Sequence, residues 1–228
     1  MQISNGVKTF CVIPAFNEEK NIAEVINQVK SMVDAVVAVD DGSSDRTADL
    51  AARAGAIVLK HLINRGQGAA LRTGTRYCLD NGADVIIHFD ADGQFLARDI
   101  ERIIAPIKSG AAQVVFGSRF LNSEHSAAMP IFKKYFIMPL AKAVNKLFFD
   151  INLTDPQSGF RAMSAAAARL IDWKQDRMAH CSEIMFEVKR NNFKVKEIPI
   201  RVIYHNFGQN FSGGLKILKE LFIAMLVN

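Results

Sequence analysis

Short apolar runs alternating with amphipathic helical patterns predict an α/β domain, a mostly parallel, doubly wound sheet flanked by helices. The polar, Gly- and Asp-rich stretches fall just after those runs. Open sheets of this kind bind ligands beyond the carboxyl ends of their strands, so the stretches can converge on one site although far apart in sequence. Size agrees: 228 residues, half of them hydrophobic and 22% charged, suit a single domain with a sizeable core.

The elements follow in order. Residues 10–16 read as the first strand, with Pro14 marking its end. Asn17 is placed to cap a helix in which Ile22, Val25, Ile26 and Val29 recur at helical spacing. Residues 35–39 form a second strand, leading into Asp40-Asp41-Gly42-Ser43-Ser44-Asp45. Asp45 or Ser44 can cap the helix that stops at Gly55. Residues 57–62 are a third strand, followed by Asn64-Arg65-Gly66-Gln67-Gly68 and a helix ending near Gly82. The fourth strand is the apolar run 85–87; Ile100, Ile103, Ile104 and Ile107 mark the next helix, and 114–116 a fifth strand.

The fourth strand runs into His88-Phe89-Asp90-Ala91-Asp92-Gly93-Gln94. Side chains at i and i+2 of an extended segment lie on one side, so Asp90 and Asp92 can point into the same site. Two carboxylates that close repel unless neutralised, and a hard divalent cation does so while keeping positions for water and phosphate oxygens. Gln94 adds a neutral oxygen. A strand end followed by a polar turn has the same appearance, as does the Asp40-Asp41 turn beside Gly42. Arg65-Gly66-Gln67-Gly68 at a helix start offers backbone N–H groups to an anion or serves as loop and cap. Arg119 after the fifth strand and Arg161 after Ser158-Gly159 are placed for bidentate phosphate contacts or for solvated turns.

Composition narrows the partners. The net charge of +5 and pI near 9.2 favour nucleotides, lipid phosphates or anionic membranes. No nucleic-acid module is recognisable, so no nucleic acid is expected. Three widely spaced cysteines argue for a reducing compartment. Residues 1–9 lack a signal-peptide core and no apolar run spans a bilayer, so a cytoplasmic protein is expected. No Gly-x-Gly-x-x-Gly follows the first strand and no Walker-type Gly-Lys-Ser/Thr occurs, which disfavours dinucleotide dehydrogenases and P-loop ATPases.

Six stretches together resemble family 2 glycosyltransferases: Ile13-Pro14-Ala15-Phe16-Asn17-Glu18-Glu19, Val39 to Asp45, Asn64 to Ala70, Asp90 to Gln94, Gly117-Ser118-Arg119, and Asp155-Pro156-Gln157-Ser158-Gly159-Phe160-Arg161. The last two are similar to the subgroup that glycosylates polyprenyl phosphates, typified by dolichyl-phosphate mannose synthase. The resemblance covers roughly residues 8–205. It implies the A-type glycosyltransferase fold, a UDP- or GDP-sugar donor, a polyprenyl phosphate acceptor, and Mg²⁺ or Mn²⁺ held by Asp90, Asp92 and Gln94. It further implies nucleoside contacts from Pro14, Phe16, Glu18, Val39 and Asp41. Gly66, Asp90, Ala91, Arg119 and His205 complete the nucleotide-sugar set, and Asp92, Asp155 and Arg161 the catalytic one. An acceptor phosphate is already anionic and attacks C1 with inversion, so Asp155 orients the donor sugar and need not be a base.

The chain also departs from the family. Gln67 stands where many members carry Lys, and His205 and Phe211 stand where Arg and Lys are expected. The resemblance divides one domain into a nucleotide-sugar half, 8–120, and an acceptor and membrane-interface half, 121–228. In 130–149 a large apolar face with Phe136 and Leu140 opposes Lys134, Lys142 and Lys146. This suits a helix lying in a membrane interface, or one packed on a core. Residues 215–227 are similarly apolar. The expectation is an inverting transferase at the inner membrane face. Its rivals are a transferase with a saccharide acceptor and a non-catalytic membrane-surface module.

Overall fold

The computed structural model describes residues 6–121 and 153–203. Among the described residues seven strands form one sheet in the order β3-β2-β1-β4-β6-β5-β7. They are β1 (Thr9–Ala15), β2 (Ala35–Asp40), β3 (Ile57–Lys60), β4 (Val85–His88), β5 (Val114–Ser118), β6 (Arg161–Ser164) and β7 (Val195–Pro199). β6 runs antiparallel between β4 and β5, and every other pairing is parallel. The helices are α1 (Ile22–Val29), α2 (Thr47–Arg53), α3 (Gln67–Asp80), α4 (Ile100–Lys108), α5 (Ala165–Leu170) and α6 (His180–Arg190).

Strand alternation divides the core into two layers. Cys11, Ile13, Ala38, Ile87, Val115 and Ala162 face α1, α2 and α4. Val12, Val37, Val39, Ile86, Val114 and Met163 face α3, α5 and α6. Covering both faces explains why β1, β2 and β4 read as unbroken apolar runs. Each buried Val or Ile contributes about 1.5–3 kcal/mol. Among the described residues no helix is long and apolar enough to cross a membrane.

Several local expectations are corrected. Pro14 lies within β1, in register with Val39. Val12 O accepts from Phe89 N, so the even positions of β1 face β4, and β4 has ended before Pro14 would need a donor. Asn17 does not cap α1. It adopts φ 55°, and its Oδ1 accepts from Ser44 N while its own N–H donates to Ser43 Oγ. Asn21 stands at the start of α1 without a side-chain cap bond. Asp45 accepts from Thr47 N at 2.9 Å, one residue ahead of the cap position of α2. β3 stops at Lys60 because Leu62 and Ile63 leave the sheet and are exposed. β5 runs on to Ser118, where β7 continues to pair with it through Pro199. Because β6 is antiparallel, the loop that leads into it lies at the same end of the sheet as the carboxyl ends of β1, β2, β4 and β5.

Candidate active site

The loop after β4 is rigid by construction. Phe89, Phe95 and Phe160 pack with ring centroids 5.0–5.7 Å apart and support it from below. Gln94 N donates to Asp92 Oδ1 at 2.9 Å, and Gln94 O accepts from Ile203 N. Among the described residues Asp90 accepts one neutral hydrogen bond, from Gln67 Nε2 at 2.7 Å. Burial, followed by the charge of Asp92, pushes its carboxyl up to about 7, against a smaller opposing pull from Arg161. A Cβ on Gly159 would sit 2.1 Å from Asp90 Oδ2, so glycine there makes the space this carboxylate occupies.

The pair fits a divalent cation. A carboxyl that is half protonated near neutrality beside a second acid gains from a bound cation, and two or three protein oxygens leave positions for phosphate and water. Asp90, Asp92 and Gln94 follow one another along this loop. Among the described residues no group of three or more His, Cys, Asp or Glu forms a complete protein ligand set. Ala91, between the acids, is buried.

At the β1 and β2 ends, Phe16 is 46% exposed, and Glu18 is half-buried with its N–H on Thr47 Oγ1. The other expected nucleoside residues are enclosed. Pro14 is buried, and Val39 packs against α3 at Gly74. Asp41 is buried and fully engaged. Its Oδ1 accepts from Arg65 N at 3.1 Å and from His61 Nδ1 at 2.6 Å, and its Oδ2 from Gly66 N at 2.6 Å. Its role in the structure is to fasten the 61–66 loop. Gly66 N is thus unavailable as an anion donor, and Ala69 N is taken by Asp176 O.

Arg119 and Asp155 meet as a bidentate pair, Nε–Oδ2 2.6 Å and Nη2–Oδ1 2.8 Å, with Arg119 N adding a third bond. Glu197 of β7 accepts from Thr154 N, Thr154 Oγ1 and Asp155 N, which holds that loop in place.

Arg161 departs from expectation. It is 0% exposed on the α3–α6 side of the sheet, because position 161 shares its face with Met163. Its Nη2 donates to His180 Nε2 at 3.2 Å, while Nε and Nη1 have no partner among the described residues. His180 is pulled down to about 4 by burial and then by the Arg161 charge, so it is neutral and can accept. His88, beside Arg161 in register, is lowered well below its ordinary value by burial first. The guanidinium therefore acts from beneath the acid loop and does not open to the site. His205 and the segments 130–149 and 215–227 lie outside the described residues.

Sequence reasoning did not single out Glu197, Asp176, Trp173 or the contact of Gln67 with Asp90. Trp173 is the chain's one tryptophan and its Nε1 donates to Gly68 O at 2.9 Å. That singularity was the available signal. Glu197 and Asp176 carry none, since their partners are backbone groups and arginines distant in sequence.

Residues 10–171 match the profile of Glycosyl transferase family 2. The chain is 33% identical to a UDP-N-acetylglucosamine–dolichyl-phosphate N-acetylglucosaminyltransferase of Methanococcus voltae, over 95% of this chain and 96% of that one. It is 27% identical to the undecaprenyl-phosphate mannosyltransferase of Micrococcus luteus, over 92% and 89%. Among solved structures it resembles glucosyl-3-phosphoglycerate synthase from Mycobacterium tuberculosis in complex with Mn²⁺, UDP-glucose and phosphoglyceric acid. That match has a TM-score of 0.68 and 18% identity, and covers 89% of this chain and 73% of that one. The architecture is the A-type glycosyltransferase fold.

Proposed function

The chain belongs to glycosyl transferase family 2, and on that premise we propose that it transfers a sugar from a UDP- or GDP-sugar to a polyprenyl phosphate at a membrane surface. The observation that carries this is the acid pair at the carboxyl end of β4, with Asp90 raised to about 7 and fed, among the described residues, by a single neutral donor. A carboxylate so poorly supplied by the protein is poised for an external cation. The two polyprenyl-phosphate relatives, matched along nearly their whole length, support the acceptor class.

Asp90 and Asp92, with Gln94, would hold Mg²⁺ or Mn²⁺, which when bound neutralises charge on a leaving diphosphate. Phe16 offers an exposed ring to the base and Glu18 a carboxylate to the ribose hydroxyls. The bond formed joins an acceptor phosphate oxygen to C1, and the bond broken joins C1 to the diphosphate on the opposite face, so configuration inverts. The acceptor is anionic near neutrality and needs no base. This agrees with Asp155 being committed to Arg119. A polyprenyl phosphate resides in a bilayer, which puts the reaction at its surface.

The test is a panel of UDP- and GDP-sugars against short-chain polyprenyl phosphates with Mn²⁺ or Mg²⁺, scored for released nucleoside diphosphate. Release that depends on both the lipid phosphate and the metal is expected. Release driven equally well by free saccharides would overturn the acceptor assignment.

A further inference from the structure

The segment between α5 and α6 crosses the start of α3, and it is seated there by many interactions. Trp173 Nε1 donates to Gly68 O, and Ala69 N donates to Asp176 O at 3.1 Å. Arg72 donates through Nη1 to the carbonyls of Trp173 and Lys174 and through Nη2 to Asp176 Oδ1 at 2.6 Å. Arg65 adds Nε and Nη2 to Asp176 Oδ2. His180 donates both its backbone N–H and Nδ1 to Arg177 O, at 3.1 and 2.8 Å. The approach is close enough to demand glycine twice. A Cβ on Gly68 would meet Gln175 O at 2.4 Å. One on Gly66, whose φ is +115°, would meet Asp176 O at 2.5 Å and Arg177 Cγ at 2.9 Å.

Three arginines gather at this crossing, and two are used by the fold. Arg65 and Arg72 share the carboxylate of Asp176. Arg177 is different. Its backbone is pinned and its stem lies over Gly66, yet its guanidinium is exposed and has no partner among the described residues. Gly66 is followed directly by Gln67, whose amide touches Asp90. Arg177 is therefore anchored over the residue that precedes Gln67, on the α3 side of the acid loop, and no described residue bonds its guanidinium.

We propose that Arg177 is a substrate-binding residue that contacts the diphosphate of the sugar nucleotide on the side of the acid pair formed by α3. A guanidinium presents paired N–H donors that match phosphate oxygens. Placed there, it supplies positive charge to the leaving group from the protein, in addition to whatever cation Asp90 and Asp92 hold. This inference rests on the reading of the site as a sugar-nucleotide site.

The experiment measures binding of UDP and GDP with Mn²⁺ to the full chain by calorimetry, with the free nucleosides uridine and guanosine as controls. Arg177→Ala should weaken the nucleoside diphosphate that the wild type prefers by about 10- to 100-fold, the loss of one charge-assisted contact. Affinity for the free nucleoside and the melting temperature should not change, and Arg177→Lys should recover part of the loss. Equal diphosphate affinity in wild type and Arg177→Ala overturns the proposal and leaves the site reading intact. So does a variant in which only the KM for polyprenyl phosphate rises, which would assign Arg177 to the acceptor. A wild type that binds neither diphosphate overturns both.

Discussion

Two carboxylates at the same end of the sheet are treated in opposite ways. Asp155 is closed off: both its oxygens are bound by Arg119, and its backbone N–H is taken by Glu197. Among the described residues Asp90 has one neutral amide, an acid two residues away, and the Arg161 cation buried beneath it without a hydrogen bond between them. The first carboxylate stabilises a loop at no cost in unmet charge. The second is left unsatisfied, and a site that binds a cation has to be. On the function proposed above, the acid that would hold the metal is the one to which the fold gives fewest partners.

The largest expected effect breaks the open side. Asp92→Ala should abolish metal-dependent nucleoside diphosphate binding and cut turnover by roughly 10²–10³-fold. The metal-free protein should keep its stability to within about 1 kcal/mol, because a lost turn hydrogen bond is offset by relief of repulsion on Asp90. Turnover with Mn²⁺ and melting of the metal-free variant check the two halves. Near-normal turnover would remove the acid pair from the mechanism.

Breaking the closed side should do the reverse. Asp155→Ala leaves a partly buried guanidinium without its bidentate partner and should cost about 3 kcal/mol of stability. Denaturant unfolding of the metal-free protein measures it. If stability is unchanged and only turnover falls, Asp155 belongs with Asp90 and the contrast between them fails.

Acidity sharpens the comparison further. The Asp90 carboxyl, raised from its ordinary value of 3.8 to about 7, keeps its proton in the folded protein over a range where the unfolded chain has released it. Between about pH 4 and 7 the folded state binds more protons, so metal-free stability should fall as pH rises through this window and level off above it. Mn²⁺ must displace that proton. Its affinity should rise by up to about tenfold per pH unit below 7 and then level off. Calorimetry in buffers of different ionisation enthalpy would count the proton released. A flat affinity from pH 5 to 8 would show that Asp90 does not hold the metal.

The readable part of the molecule is the part whose logic is local. β1, β2 and β4 are buried on both faces, so their apolar runs mark them; the two acids are legible as neighbours in sequence, but β4 ends at His88 and a turn at 91–92, not an extended segment, carries Asp92. β6 is only four residues long, and it opens on a buried arginine that reads as a surface residue. β7 is a half-exposed edge strand ending in proline. Three of the expected site residues have one feature in common. Asp41, Val39 and Arg161 carry the right chemistry for a ligand, but the 61–66 loop, Gly74 and His180 already occupy them. A sequence shows which groups can bind, and only packing shows which are already bound.

The smallest effect tests how far the closed side depends on charge. Glu197 accepts from Thr154 N with both oxygens, at 2.8 and 2.9 Å, and from Asp155 N and Thr154 Oγ1 with Oε1 alone, each at 3.0 Å. In Glu197→Gln the amide oxygen can keep the Oε1 bonds, while the new NH₂ faces the Thr154 N–H that Oε2 had accepted. The loss is one branch of a shared bond and the charge that strengthened the rest, about 1 kcal/mol. Arg119 still binds Asp155 directly, so the pair should stay closed and the KM for the sugar nucleotide should hold. Glu197→Ala removes every acceptor and leaves two backbone donors, Thr154 N and Asp155 N, unpaired, while Thr154 Oγ1 keeps Ser118 Oγ, so it should cost more stability than the Gln variant and raise that KM as the loop shifts. Equal effects from the two variants would mean that the carboxylate matters only by its charge, and that the 153–160 loop is held in place by Arg119 and Asp155 alone.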